Sequence, residues 1–307
     1  MSGKGWGAGP EPAILLNPGS GTGDPEATRE QLAGIFAAAG RTPRIELVGG
    51  GEEIAGLARR AIEAGADPII AGGGDGTINA VATVVVETDR TLGVLPLGTF
   101  NHFAKDLQIP LDLEGAAGVC LAGHAARVDV GEVNGHLFLN NSGLGLYPDM
   151  VHRREKQQSE LGRGKWPAVF WASWEMFRRY PFLDVRLEID GQKLHRKTPF
   201  VFIGNNEYDM ERYTSVGSRA SLDRGLLSLY VAHRTGRLGL LRLAWNALFG
   251  DLRRQHDFDA LSAQEIWIET PHRRHLRVST DGEVTVLSTP LHYRVRPGAL
   301  RVLTPAP

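Results

Sequence analysis

Between Asp67 and Val86 the chain runs from a short apolar stretch, Asp67-Pro68-Ile69-Ile70-Ala71, straight into Gly72, Gly73, Gly74, Asp75, Gly76 and Thr77. It then leaves through an apolar run from Ile78 to Val86. Few folds satisfy that order. The first stretch has the length and composition of a buried strand, the last can continue as a helix, and the glycines turn the chain between them. A loop this poor in side chains lets a phosphate approach backbone N–H groups, and a helix N-terminus behind it adds a favourable partial charge. Asp75 is then an acid beside an anion site, which suits either a bridging divalent cation or the handling of protons. The segment is not a P-loop, because no Gly-Lys-Ser/Thr follows. Nor is it the dinucleotide fingerprint, because Thr77 stands at the third glycine of G-x-G-x-x-G. The plainer alternative is a tight strand-to-helix turn. Four glycines around one acid exceed what a turn needs, which favours phosphate binding.

The surrounding 130 residues repeat the same strand-then-helix pattern. Ala13–Asn17 is an apolar strand ending in Pro18-Gly19-Ser20-Gly21-Thr22-Gly23. Asp24 caps and Pro25 starts a helix to about Ala39, with Gly40 as its stop. Arg44–Val48 reads as a strand, 52–64 as a helix, and Leu92–Pro96 as a strand followed by Leu97-Gly98-Thr99-Phe100-Asn101. Asp112 caps a further helix to about Ala122. Alternation of this kind implies a largely parallel sheet with ligands outside the strand C-termini. Three of those ends are small and polar, so one cleft would collect them.

Beyond Ala126 short alternating runs dominate: 127–133, 136–140, 185–189, 200–203, 226–231, 265–268, 276–278, 284–287, 293–295 and 300–303. Asn134-Gly135, Asp190-Gly191 and Asp281-Gly282 are hairpin-turn dipeptides. The fold expected is an α/β N-terminal domain with a parallel sheet at about 10–128, its phosphate-binding loops at the strand C-termini. An antiparallel β-sandwich at 129–307 follows, with helical inserts near 165–180 and 237–252; the last segment, about 296–307, returns to the first domain. Composition limits the function. Of 307 residues, 42% are hydrophobic and the net charge is −1, which makes no case for nucleic acid as a partner. The one cysteine, Cys120, excludes an internal disulfide and a cysteine-based zinc site, and reads as a small buried apolar residue. No apolar run approaches the roughly 20 residues of a membrane-spanning helix. The Gly-rich start, Met1–Pro10, reads as a flexible lead-in with no signal-peptide core, so a cytoplasmic location is expected.

Four motifs carry a resemblance. Asn17-Pro18-Gly19-Ser20-Gly21, Gly73-Gly74-Asp75-Gly76-Thr77, Pro96-Leu97-Gly98-Thr99-Phe100-Asn101 and Ser279-Thr280-Asp281-Gly282-Glu283 stand in the order and spacing of the diacylglycerol kinase catalytic-domain family. That family includes bacterial lipid kinases and sphingosine-type kinases. Gly-Gly-Asp-Gly-Thr alone is shared with NAD kinases and phosphofructokinases; the set of four is far more specific. The resemblance implies that Asn17, Pro18, Gly19, Ser20 and Gly21 line the ATP phosphates with Gly73, Gly74, Asp75, Gly76 and Thr77. Thr99 and Asn101 join them. It implies Glu283 as general base, with Asp75 and Asp129 coupling that base to magnesium and water, and Asp75 touching the catalytic magnesium. Such a carboxylate accepts the acceptor's hydroxyl proton as the bond to phosphorus forms. Without the family, Glu283 is an exposed charge after a hairpin turn. Two positions depart from the pattern. His102 follows Asn101 where the family has Asp, so His102 donates to a phosphate or Asp106 supplies the acid. Arg224 replaces an acid that helps hold a structural magnesium, and a guanidinium ligates no cation, so no structural magnesium is expected.

The implied activity is an ATP- and magnesium-dependent lipid kinase acting on a hydroxyl of a membrane lipid such as diacylglycerol. The alternatives are a soluble NAD-kinase-like enzyme and a nucleotide-binding regulator that has lost catalysis. Trp166, Phe170, Trp174 and Phe177 recur at helical spacing among basic residues in 151–180, a pattern that suits an anionic bilayer surface or, equally, packing on the sandwich. Leu240–Leu252, with Trp245 and Phe249, is a second such stretch. Peripheral membrane association is expected from the first, and a homodimer is compatible with exposed sandwich edges. The ten histidines show no ligand spacing; His272-Arg273-Arg274-His275 reads as a solvated or phosphate-facing loop. Ser142 lacks the Gly-x-Ser-x-Gly frame of a serine hydrolase.

Overall fold

The computed structural model describes residues 11–20, 24–49, 51–145, 182–208, 219, 221–232, 258–271 and 273–306. Gly21, the aromatic stretch with Trp166, Phe170, Trp174 and Phe177, the stretch from Leu240 to Leu252, and His272 lie outside the described residues. The chain divides into two compact units. One takes Met1–Val130, Gly217–Arg224 and Arg296–Pro307; the other takes Gly131–Val216 and Gly225–Val295.

In the first unit, strands β1 (Ala13–Leu16), β2 (Arg44–Leu47), β3 (Ile69–Gly73) and β4 (Leu92–Pro96) pair in parallel in the order β2-β1-β3-β4. Every residue of β1, β3 and β4 is buried. Burial on both faces is what their unbroken apolar runs anticipate for parallel strands, and helices supply the cover. Helices α1 (Pro25–Ala38) and α5 (Leu113–Ala122) pack on each other, as do α2 (Gly51–Glu63) and α3 (Asp75–Val85). The expected caps form. The Asp24 carboxylate accepts the Glu26 N–H at 3.0 Å with Pro25 next in line, and Asp112 accepts the Gly115 N–H at 2.8 Å. A five-residue helix, α4 (His102–Asp106), follows the loop after β4; it is too short for periodicity to reveal. Because β3 lies between β1 and β4 and all three run the same way, their C-terminal loops are neighbours.

The second unit contains a six-stranded antiparallel sheet. Its order is β12 (Phe258–Ala263), β11 (Leu227–Ala232), β10 (Phe200–Asn205), β7 (Asn141–Gly145), β14 (His275–Thr280), β15 (Glu283–Ser288). A second antiparallel set comprises β8 (Leu183–Ile189), β9 (Gln192–Thr198), β13 (Glu265–Glu269) and the first half of β16 (Leu291–Leu303). Their inward residues form one core that includes Leu144, Val185, Val201, Leu229, Ile266, Val278 and Tyr293. The end of β16 belongs to the first unit, where Val302 pairs in parallel with Leu92 of β4. β5 (Ala125–Val133) likewise starts in the first unit and ends in a hairpin with β6 (His136–Phe138). All three Asx-Gly dipeptides make two-residue hairpins with both φ angles positive: 46° and 85° at Asn134-Gly135, 47° and 82° at Asp190-Gly191, 48° and 92° at Asp281-Gly282. That is the turn type whose twist matches the flanking strands. Ser142 is fully buried and bonds the Tyr293 hydroxyl at 3.0 Å, a structural use that agrees with its missing hydrolase frame.

Candidate functional site

Side-chain and backbone hydrogen bonds lace the three C-terminal loops of the first unit together. After β1, Asn17 donates through Nδ2 to the Thr77 hydroxyl at 3.0 Å and accepts the Gly19 N–H at 2.9 Å. Ser20 Oγ accepts the Gly74 N–H at 3.3 Å. The backbone adds Asn17 N–H to the Gly72 carbonyl (2.9 Å) and Leu97 N–H to the Gly73 carbonyl (3.0 Å). The first loop is thus tied to the second through Asn17 and Ser20, and the second to the third through Gly73. Pro18, Gly19 and Thr99 are exposed at the surface of this assembly.

The glycines divide by purpose. A Cβ on Gly73 would lie 2.5 Å from Thr77 Cβ, and one on Gly98 would lie 2.5 Å from Gly74 Cα. A Cβ on Gly72 would meet Leu16 Cδ2 at 2.3 Å. These three are glycine because the protein packs against itself there, so close approach by a ligand is not their only explanation. Gly74 differs: its nearest neighbour would be Gly98 Cα at 3.6 Å, an ordinary contact. It is the N-cap of α3 and, having no side chain, makes no cap hydrogen bond. The first N–H groups of a helix have no intrahelical partner, and here none is covered by a capping side chain. The result is a glycine cradle whose backbone N–H groups at the start of α3 have no capping side chain, next to the hydroxyls of Ser20 and Thr77.

Asp75, the first residue of α3, is half-buried and accepts the Phe103 N–H at 3.2 Å through Oδ1. It therefore joins the N-termini of α3 and α4. One carboxylate next to this cradle fits magnesium, which takes one or two carboxylates and completes its shell with phosphates and water. Among the described residues no group of three or more His, Cys, Asp or Glu side chains could hold a metal by itself.

Asn101, which the motif implies at the ATP site, also shapes its own loop. It is buried, sits at φ 52°, accepts the Gly98 N–H at 3.0 Å and donates to the Gly98 carbonyl at 2.8 Å. Both ends of its amide shape the loop that carries Thr99, which makes it a positioning residue. Asp106 is corrected. Its carboxylate is 3% exposed and receives both the backbone N–H (3.2 Å) and the Nε–H (2.8 Å) of Arg219, itself fully buried. A carboxylate so occupied is not a free acid for the site. His102 is exposed and stacked on Phe100, with ring centroids 5.7 Å apart.

Asp129, on β5, is 2% exposed. Its Oδ1 accepts the Gly298 N–H at 2.8 Å and its own N–H donates to the Leu222 carbonyl at 2.7 Å. With the Asp106–Arg219 pair, this bond ties Arg219 and Leu222 into the first unit. Beside Leu222 the Asp223 carboxylate is engaged by the Ser221 hydroxyl, and Arg224 follows. Cys120, buried behind β4, has its thiol pushed up to about 12 by burial, as befits an inert apolar filler.

In the second unit, Glu283 opens β15, exposed to solvent, with its backbone opposite Thr280 across the Asp281-Gly282 turn. The residue that sequence reasoning passed over is Asp281. Its carboxylate accepts three successive backbone N–H groups, from Leu139 (2.6 Å), Asn140 (2.8 Å) and Asn141 (3.0 Å). As half of an Asx-Gly turn signal, Asp281 was already explained locally, and nothing near it in sequence pointed to partners about 140 positions away.

Comparison with known proteins agrees with this anatomy. Residues 12–133 match the model of the diacylglycerol kinase catalytic domain, and 152–304 match the YegS C-terminal NAD kinase beta sandwich-like domain. A curated relative from Staphylococcus aureus (strain JH9), named diacylglycerol kinase, is 32% identical over 181 residues, and the protein of strain Newman gives the same figures. The matched stretch is 58% of this chain and 56% of that relative, so the chain spans just over half the length of the curated relatives it matches. A crystal structure described as a diacylglycerol kinase from Bacillus anthracis str. Sterne superposes with a TM-score of 0.71 over 96% of this chain and 97% of its own, at 23% identity, a likeness of fold. A second structure from the same organism reaches 26% identity at the same TM-score and coverage. With both domain models matched in order, the chain belongs to the diacylglycerol kinase catalytic-domain family.

Proposed function

We propose that the protein is a lipid kinase that transfers the γ-phosphate of ATP to a hydroxyl of a membrane lipid of the diacylglycerol class. The observation that carries this reading is the three-loop cradle: Asn17 bonded to Thr77 and Ser20 to Gly74 around the uncapped start of α3, with the third loop joined by Leu97 to Gly73. Phosphoryl transfer asks a protein mainly for positioning and for donors around the phosphate oxygens, and this cradle supplies both. Ser20 and Thr77 orient the phosphates, while the α3 N-terminus stabilises their charge. Asp75 would hold magnesium against them; when bound, that ion neutralises charge on the transferring group. Glu283 accepts the proton of the attacking hydroxyl, a contribution of about 10²–10⁴-fold. The resemblance gives Asp129, held by the Gly298 N–H, a supporting role toward that magnesium and its water.

The supporting likenesses are the catalytic-domain match and the names of the relatives. No helix among the described residues is long and apolar enough to cross a membrane. Peripheral binding would bring the protein to a lipid hydroxyl, and Trp166, Phe170, Trp174 and Phe177 are the candidates the sequence offers for it. The test is incubation with labelled ATP, magnesium and a total lipid extract, beside Glu283→Gln. A labelled lipid formed only by the unmutated protein is expected. Label appearing instead on a soluble acceptor such as NAD would replace the lipid with that acceptor.

A further inference from the structure

We infer that Asp281 is the positioning residue for Glu283: it anchors the turn that presents the base to the backbone amides of residues 139–141. The inference rests on the reading of Glu283 as base and extends it to a residue whose side chain does not touch the reacting atoms.

The geometry exceeds what a hairpin requires. An Asx-Gly turn needs only positive φ at both positions, and Asp190-Gly191 makes the same turn with nearly the same angles. At Asp281 there are, in addition, three charge-assisted bonds of 2.6–3.0 Å from consecutive amides, a backbone nest closed on a carboxylate. The Asp281 N–H also donates to the Asn141 carbonyl at 2.9 Å, so the contact runs in both directions.

The anchor point is itself fixed from its other side. Asn205 donates through its backbone N–H to the Asn140 carbonyl (2.9 Å) and through Nδ2 to the Leu139 carbonyl (2.9 Å). Tyr208 adds its hydroxyl to the Asn140 carbonyl at 3.1 Å. Asn205 is 1% exposed, and Tyr208 packs edge-on against Phe202. The N–H groups of 139–141 thus face Asp281 while two of their carbonyls face the end of β10. Glu283 stands two residues beyond Asp281 and opens β15, so its backbone is set by the turn together with the β14–β15 ladder that the turn starts. An exposed carboxylate on a loose turn samples many positions, and a misplacement of about 1 Å can cost on the order of 10²-fold in rate.

Asp281→Asn tests this with little disturbance to the turn, because Asn-Gly favours the same backbone. An amide offers one acceptor where the carboxylate offers two, and it turns an NH2 toward N–H donors. The measurement is kcat and ATP KM for the unmutated protein, D281N, E283Q, the D281N/E283Q double variant and D190N as the turn control. The expected result for D281N is a kcat lower by about 10²-fold with ATP KM within about twofold. The double variant should be no slower than E283Q alone, because a residue that acts through Glu283 has nothing left to position. D190N should match the unmutated protein. An active D281N beside an inactive E283Q overturns the positioning role and leaves Glu283 as base. A double variant slower than E283Q by the full D281N factor also overturns it, since Asp281 would then act apart from Glu283. An active E283Q removes the base itself, and the inference with it. Should D281N not fold, D281S is read against the same outcomes.

Discussion

The cradle and the Asp281-Gly282 turn each present an acid, Asp75 in one and Glu283 in the other, and they hold it in opposite ways. The cradle is rigid because it is crowded. Gly73 and Gly98 leave no room for a methyl group, Asn17 bridges to Thr77, and Asp75 is itself bonded to the Phe103 N–H. The turn is a surface feature with an exposed Glu283, and its order comes from one side chain reaching three distant amides. Close packing suits a site that must fit a fixed, compact anion. A tethered turn suits a group that must meet a hydroxyl delivered from outside. The two should therefore fail differently when altered.

The largest effect is expected at the turn. Glu283→Gln should lower kcat by about 10²–10⁴-fold, with nucleotide affinity unchanged, as read by turnover and by equilibrium nucleotide binding. Next comes the buried pair that ties Arg219 into the first unit. Arg219→Met leaves Asp106 buried without its cation, which costs about 3–5 kcal/mol and should appear as a drop in Tm. The double change Arg219→Met with Asp106→Leu should recover much of that loss, because a buried pair can often be replaced by apolar side chains. Gly98→Ala should come third. Its Cβ would press on Gly74 Cα, and overpacking costs about 1–3 kcal/mol. Unlike Glu283→Gln, it should weaken nucleotide binding before it slows transfer, visible as a raised ATP KM. The smallest effect belongs to Cys120. Its thiol, raised to about 12 in the fold, ionises earlier in the unfolded chain. The folded state then binds more protons than the unfolded one between about pH 9 and pH 12, so stability falls as pH rises through that window and is unaffected below it. Cys120→Ala should remove that part of the alkaline slope in denaturant titrations.

The first unit was largely legible because its signals are local. Asp24, Pro25 and Asp112 each act within a few residues of where they stand, and the glycine runs mark the turns by composition alone, although Gly72 and Gly98 answer to Leu16 and Gly74. Apolar runs such as Ile69–Ala71 announce strands buried on both faces. In the second unit the Asx-Gly turns were readable for the same reason, and several strands were not. β7, Asn-Ser-Gly-Leu-Gly, shows no apolar alternation, yet it lies inside the six-stranded sheet with Leu144 in the core and Ser142 satisfied by Tyr293. β9 shows almost no apolar alternation, because it is an edge strand whose Lys193 and His195 pair with Glu188 and Asp184 across the hairpin. β16 reads as two strands interrupted at Pro297-Gly298, where the chain in fact continues.

At the site, residue identities were legible and roles less so. Asn101 and Asp106 carry the right chemistry for ligands, and only their partners, Gly98 and Arg219, reveal the loop-shaping bonds of the first and the buried ion pair of the second. Asp281 shows the same limit from the other side. Contacts between residues far apart in sequence leave no periodicity behind, so neither the bonds that tie down Arg219 and Leu222 nor the nest at 139–141 had a local signature.

The division of labour between cradle and turn is tested most directly by measuring ATP affinity and phosphate transfer to diacylglycerol in parallel for Glu283→Gln and Gly98→Ala. The account predicts that Glu283→Gln binds ATP as the unmutated protein does and transfers almost nothing, while Gly98→Ala loses affinity and still transfers at saturating ATP. Loss of ATP binding in Glu283→Gln, or full affinity in Gly98→Ala, would contradict it.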